Sequence, residues 1–286
     1  MEREGGTPSA GKAAFERDGY LFPIRLVSPQ EMATLRCGLD DYLVRSKENP
    51  HDDLLLQYKV HMVFTWADRL VREPALLDVV EDLIGPNLLI WNTAVMMKQP
   101  CQPGFVTWHQ DALYWGNDPA HVVTAWVALT ASDRENGCMR MFPGSNRRGV
   151  LAHVDTFGRD NMLSRGQKVV EDLDERAATD IVLRPGEASI HHTVTVHGSE
   201  PNRSDRPRIG FAITYVVPEA KLAGPRTGAT VVRGVNTHDH FDIETTRPGA
   251  DLEPAAIAAH DEAMRPFAAA IYEGAEKEGR ISVPQG

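Results

Sequence analysis

The sequence predicts a mainly β protein, a sandwich or open barrel with helices packed outside it. Two observations carry this. From residue 88 onward, short apolar runs alternate with Gly-, Pro- and Asn-rich turns, which is the pattern of strands. Helical signals gather instead before residue 86 and again near the C-terminal end.

Taken in order, the first dozen residues are small and polar and are expected to be loose. Ser28-Pro29-Gln30-Glu31 reads as a capping box with proline at the first helical position. The helix it opens is expected to run to about residue 46, with Met32, Leu35, Leu39 and Leu43 at helical spacing. A second helix is predicted over 74–83, stopped by Gly85-Pro86. The unbroken apolar run 88–97 reads as a buried strand, and 122–129, 181–183, 188–190 and 209–217 as further strands. Residues 151–179 are polar and irregular, the signature of a mobile loop or lid. The Ala-rich stretch 253–278 reads as a C-terminal helix. No repeat or low-complexity segment interrupts the chain, and 1–286 is expected to form a single domain.

Composition narrows the function classes. A formal net charge of −10 argues against a nucleic-acid surface, which needs a basic patch. No apolar run approaches the length needed to cross a membrane. The N-terminal segment lacks the apolar core of a signal peptide. Cys37, Cys101 and Cys138 have no paired spacing, so the simplest expectation is a reducing cytoplasm.

The chemistry-bearing feature is His109-Gln110-Asp111 set against His197 far downstream. Side chains at i and i+2 of a strand share a face, so an extended segment projects His109 and Asp111 together. Two imidazoles and one carboxylate occupy one face of an octahedral ion and leave three adjacent positions open, the arrangement of non-haem Fe(II) oxygenases. Alone, His-x-Asp is a weak signal, and His61, His121, His153, His191 and His192 compete with His197. His197 stands out because a turn-rich stretch follows it and leads into an apolar strand opened by Arg208. A guanidinium there can bind a distal carboxylate through two parallel hydrogen bonds, although a surface charge at a strand edge reads equally well from sequence. Trp108, Tyr114 and Trp115 flank the first cluster, either as walls of a dry pocket or as core packing.

Five segments in this order resemble the phytanoyl-CoA dioxygenase family of Fe(II)/2-oxoglutarate-dependent oxygenases. They are Trp108-His109-Gln110-Asp111, Thr124-Ala125-Trp126-Val127-Ala128-Leu129, Glu135-Asn136-Gly137-Cys138-Met139, Pro143-Gly144-Ser145-Asn146, and His197-Gly198-Ser199 through Arg208. Asn146 departs from the histidine usual in the family at that place. The resemblance spans about 15–218 and leaves the C-terminal helix as an extension. It implies a double-stranded β-helix (a cupin-like jelly roll) with outer helices. It also implies iron held by His109, Asp111 and His197, and 2-oxoglutarate held by Arg208 with help from Ser199 and Trp126. Lys59 falls where some relatives place another cosubstrate-contacting lysine, but a solvated lysine is an equal reading; Lys98 falls on a commonly basic position. Glu135-Asn136-Gly137 and Pro143-Gly144-Ser145 read as structural turns.

The implied chemistry is O2-dependent oxidative decarboxylation of 2-oxoglutarate to succinate and CO2, coupled to oxidation of a C–H bond. Relatives that halogenate replace the carboxylate with a small residue; with Asp111 present, hydroxylation is the expected outcome. Desaturation, epimerisation and ring formation use the same ligands. His61, Phe64, Trp66, Trp91, Tyr114 and Trp115 are candidate substrate walls, aromatic and poor in charge. They favour a small natural-product or lipid-like molecule over an acyl-CoA, whose phosphates call for a basic patch. Two readings of other kinds compete: a non-catalytic jelly-roll binding module, and a jelly-roll isomerase or hydrolase using another divalent metal. Neither accounts for the triad and Arg208 together.

Overall fold

The computed structural model describes residues 9–46, 53–112, 119–222 and 224–271. Its strands are β1 (Tyr20–Arg25), β2 (Leu88–Lys98), β3 (Val106–His109), β4 (Val122–Ala128), β5 (Arg140–Met141), β6 (His153–Asp155), β7 (Gln167–Val169), β8 (Thr179–Asp180), β9 (Glu187–His192), β10 (His197–Ser199), β11 (Arg208–Val216), β12 (Gly228–Arg233) and β13 (Asp242–Ile243). A seven-stranded sheet runs β1-β9-β4-β11-β2-β12-β13, and a four-stranded sheet runs β3-β10-β5-β8. Neighbours within both are antiparallel except β12 and β13. From β2 to β5 and again from β8 to β11, consecutive strands alternate between the two sheets, as in a jelly roll; β6 and β7 pair with each other, and the sheets do not close into a barrel.

Strand alternation divides the large sheet into two faces. On one, Val123, Ala125 and Val127 of β4, Ala188 and Ile190 of β9, and Ile209, Phe211, Ile213 and Tyr215 of β11 form the main core. Helices α1 (Ala10–Asp18), α2 (Pro29–Ser46), α4 (Thr65–Val71) and α5 (Pro74–Ile84) cover that face through Phe15, Met32, Leu39, Trp66, Leu70, Leu76 and Val80. α3 (Leu54–Gln57) precedes α4 and lies against β2. The opposite face, with Thr124, Trp126, Ser189 and His191, looks toward the small sheet. A C-terminal helix, α6 (Pro254–Ile271), closes one end by setting Met264 and Phe267 against Trp91 and Tyr58.

The capping box forms as expected: Ser28 N–H and Oγ donate to Glu31 Oε2 (2.8 and 2.7 Å), and Glu31 N–H donates to Ser28 Oγ (3.2 Å). Three expectations change. Of the first dozen residues, 1–8 lie outside the described residues, and the chain is helical from Ala10, because Ser9 Oγ accepts from Lys12 N–H (3.0 Å) and caps α1. Residues 181–183 form no strand; Ile181 and Leu183 bury their side chains between the sheets, and Leu183 makes only an isolated bridge to Ser132. Residues 151–179 are regular in part: β6 and β7 pair from His153↔Val169 to Asp155↔Gln167, and Met162 N–H donates to Phe105 O (2.9 Å). Thr107 Oγ1 on β3 also donates to Gln167 O (2.5 Å), so the order of this polar hairpin comes in part from bonds to a distant strand.

Candidate active site

His109 and His197, 88 positions apart, are direct cross-strand partners in the β3–β10 pair. Their rings stand 4.1 Å apart between centroids. His109 Nδ1–H points at Thr107 O (2.9 Å) and His197 O (3.1 Å), and His197 Nδ1–H at Thr195 O (3.0 Å). With the protons held at Nδ1, each Nε2 keeps its lone pair for a ligand. Asp111 Oδ1 lies 3.4 Å from His109 Nε2 and 3.5 Å from His197 Nε2. The three side chains are buried, and their ligand atoms all lie within 4.8 Å of one another.

β3 ends at His109, so Asp111 sits in the turn beyond the strand rather than one pleat along it. Gln110 makes that turn rigid. Its side-chain amide donates to Gly149 O (2.9 Å) and Val194 O (2.6 Å) and accepts from Leu151 N–H (2.8 Å). Burial alone would raise the Asp111 carboxyl, but the imidazoles that face it, His197 first and then His109 and His191, hold it well below the usual carboxylate value. Burial, then His109, pushes His197 well below the usual histidine value, so it is neutral and able to ligate. An anionic carboxylate and neutral imidazoles are the donor set that a divalent iron takes.

Arg208 opens β11 opposite Lys98 of β2. It is only 2% exposed, and among the described residues no carboxylate pairs with it. Its Nη1–H donates to Gly137 O (3.1 Å), its Nε finds no partner, and its guanidinium lies 5.1 Å from the Trp126 ring centroid. Burial lowers its pKa to about 10. A buried cation with an open donor at the pocket wall fits the far carboxylate of 2-oxoglutarate. Gly137, at φ +75°, makes the turn that brings its carbonyl to Arg208; a Cβ there would meet Glu200 O at 2.3 Å. Glu135-Asn136-Gly137 therefore buttresses the site as well as turning the chain. Ser199 Oγ accepts from Lys98 Nζ (2.7 Å), which also donates to Glu200 O. The serine hydroxyl hydrogen is thus free for a ligand beside Arg208. Gly210 lets Trp126 lie flat on β11, since a Cβ there would sit 1.8 Å from the indole.

One cleft between the sheets is lined by the triad, Trp126, His191, Ser199 and Arg208. Several expected wall residues are elsewhere. Lys59 is buried and turned away, its ammonium bound to Glu244 Oε1 (2.6 Å), Trp91 O (2.9 Å) and Gly228 O (3.0 Å), so it holds no cosubstrate here. His61 is enclosed between Thr93 Oγ1 and Thr230 Oγ1 (3.0 Å each). Phe64 and Trp66 pack in the helical layer, on the far side of the large sheet from the cleft. Trp91 stands behind the wall, donating to Thr227 Oγ1 (2.8 Å) and backing Phe267 at 4.9 Å. Trp108 packs on Phe142 outside the cleft. Tyr114 and Trp115 lie outside the described residues. Asn146 does not line the cleft and docks α1 through a bond to Glu16 O (3.0 Å), so its departure from the family pattern leaves the candidate ligand set intact. The walls that sequence reasoning missed are Gln57, Tyr58, Asn92, Thr214, Phe267 and the hairpin's Met162–Ser164. His191 was legible in principle: Ala188 and Ile190 mark the core face of β9, which leaves His191 on the other.

A jelly-roll cleft with this donor set beside a buried, unpaired arginine fits Fe(II) and 2-oxoglutarate, and the chain is an oxygenase of that dependent class. More narrowly, it belongs to the phytanoyl-CoA dioxygenase (PhyH) family, whose sequence profile matches residues 15–210. A Stutzerimonas stutzeri protein, a probable alpha-ketoglutarate-dependent hypophosphite dioxygenase, is 29% identical over 180 residues, which is 62% of this chain and 59% of that protein. Among solved structures, the apo form of the non-heme monooxygenase ThoJ matches with a TM-score of 0.82 at 33% identity, covering 92% of this chain and 98% of that one. CytC3 with Fe(II) and alpha-ketoglutarate matches with a TM-score of 0.65 at 25% identity, over 86% and 96% of the two chains. Among the described residues no helix is long and apolar enough to cross a membrane.

Proposed function

We propose that this enzyme hydroxylates an unactivated C–H bond of a small, uncharged organic molecule and releases succinate and CO2. Iron, when bound, supplies the O2 activation. The chain's residues supply the rest: His109, Asp111 and His197 hold the metal, Arg208 and Ser199 fix the cosubstrate's far carboxylate, and Trp126 walls it from water. The observation that carries the reading is Arg208, a buried guanidinium without a carboxylate partner among the described residues, on the wall of the cleft that holds the triad.

The substrate end is opposite Arg208 along β2 and β11. Asn92 and Thr214 are cross-strand partners there, with Gln57, Tyr58 and Phe267 around them. Asn92 Oδ1 accepts from Lys59 N–H (3.0 Å), which leaves its amide nitrogen for a ligand. Arg208 is the one Lys or Arg among the described lining residues, and in this reading the cosubstrate takes it. Neutral hydrogen-bonding groups on an apolar body suit that end better than a carboxylate or phosphate. A cytoplasmic setting is consistent with Cys37, Cys101 and Cys138 being unpaired.

The test begins without oxygen: Fe(II) and 2-oxoglutarate are added to the purified protein, and the weak visible charge-transfer band of the chelate is sought. The band in wild type and its loss in His197→Ala are expected, followed by succinate release in air that requires both additions. Iron binding with no band and no succinate would overturn the reading in favour of another metal chemistry.

A further inference from the structure

The two oxygens of Asp111 have different surroundings. Oδ1 faces the two imidazole Nε2 atoms, at 3.4 and 3.5 Å. Oδ2 points the other way, where it accepts from Thr124 Oγ1–H (2.9 Å) and lies 3.1 Å from His191 Nε2. Thr124 and His191 are register partners on β4 and β9, so both donors rise from one rung of the large sheet. Asp111 belongs to the other wall, two residues past the end of β3. The contact therefore ties the two sheets across the cleft, at a ligand that no strand ladder holds.

We propose that His191, with Thr124, is a positioning residue that holds the outer oxygen of Asp111 and keeps this carboxylate a one-oxygen ligand. The inference rests on the proposed triad. An ionised carboxylate only accepts, so Nε2 must carry the ring proton that points at Oδ2. In the neutral tautomer Nδ1 is then a bare acceptor; it is buried and has no hydrogen-bond partner. His191 stands outside the ligand set: among the described residues, the group whose ligand atoms all lie within 4.8 Å of one another is His109, Asp111 and His197. The consequence is chemical. Three positions on an octahedral ion must stay open, two for a chelating oxoacid and one for O2. A carboxylate free to swing would take one of them with its second oxygen. Hydrogen bonds to Oδ2 from the opposite sheet prevent the swing and aim Oδ1.

The experiment compares wild type, His191→Phe, His191→Gln and Thr124→Val. Anaerobic Fe(II) affinity is measured by calorimetry with the metal alone, then the charge-transfer band after adding 2-oxoglutarate. His191→Phe keeps a ring but donates nothing, and is expected to bind Fe(II) roughly 10- to 100-fold more weakly, with a displaced or weakened band. Gln offers an N–H donor and is expected to recover most of the loss; Thr124→Val is expected to move both readouts the same way by less. Wild-type affinity and band in His191→Phe would overturn the proposal. So would a Gln variant as impaired as Phe, which would mark ring packing as the role. If His191→Phe does not fold, Gln and Thr124→Val decide alone: unchanged metal affinity in Thr124→Val with a failed Gln variant counts against the proposal. Because the metal is titrated alone, a missing wild-type band would count against the 2-oxoglutarate assignment of Arg208 and leave the His191 result standing.

Discussion

Asp111 and Arg208 carry most of the site's charge, and both are buried. Removing either leaves its partners in place, so the losses should be selective. Asp111→Ala is expected to abolish tight Fe(II) binding and succinate formation; full activity in that variant would remove Asp111 from the triad. Arg208→Ala loses hydrogen bonds to a charged group, each about 1.5–3 kcal/mol, so the 2-oxoglutarate requirement should rise on the order of 10- to 100-fold. Fe(II) affinity should barely move, since Arg208 touches no metal ligand; equal loss of both affinities would sink that assignment. Gly210→Ala should impair the cosubstrate end indirectly, because the new methyl occupies the place of the Trp126 ring. A red shift of tryptophan fluorescence, from an indole pushed toward water, would register it.

The elements divide this labour by strand alternation. On β2 and β11 the proposed cosubstrate end, at Lys98 and Arg208, and the proposed substrate end, at Asn92 and Thr214, are six residues apart, or about 20 Å. The two ends should respond independently to mutation. α6 contributes Phe267, fully buried and packed on Tyr58 at 5.4 Å and Trp91 at 4.9 Å. Phe267→Ala is expected to destabilise the fold by about 3–5 kcal/mol and to enlarge the substrate end. The Fe(II)·2-oxoglutarate band should persist in the folded variant. Loss of that band at a temperature where circular dichroism shows native structure would refute the separation of the two ends.

For the whole molecule, one electrostatic liability lies beside Arg208, at Lys98. Burial, then the nearby Arg208, lowers Lys98 to about 6 from an ordinary 10.5. Between those values the unfolded chain keeps the Lys98 proton and the folded chain does not, so stability rises with pH across this window. The contribution is lost as pH falls through about 6. Denaturant titrations near pH 7 and pH 9 are expected to show this rise, and Lys98→Met should flatten it. An equal slope in the variant would place the pH dependence elsewhere.

Much of this was legible in the chain alone. The capping box at Ser28 and Glu31, the buried runs of β2, β4 and β11, and the order of five local motifs are properties of neighbouring residues, and propensity and alternation act over such short distances. The proposed triad and Arg208 could be singled out for the same reason, since each sits in a short motif at or just past a strand end. What the tertiary structure decided is which face each remaining residue reached. Lys59, expected as a cosubstrate contact, and His61 and Phe64, expected as walls, proved to be core, because the helical segment that carries them docks behind the large sheet. Phe267 became a wall only because α6 folds back over 176 residues onto Trp91 and 209 onto Tyr58. His191 reached Asp111 only because the two sheets face each other across the cleft. Local sequence sets what an element is; pairing between distant strands sets what it touches.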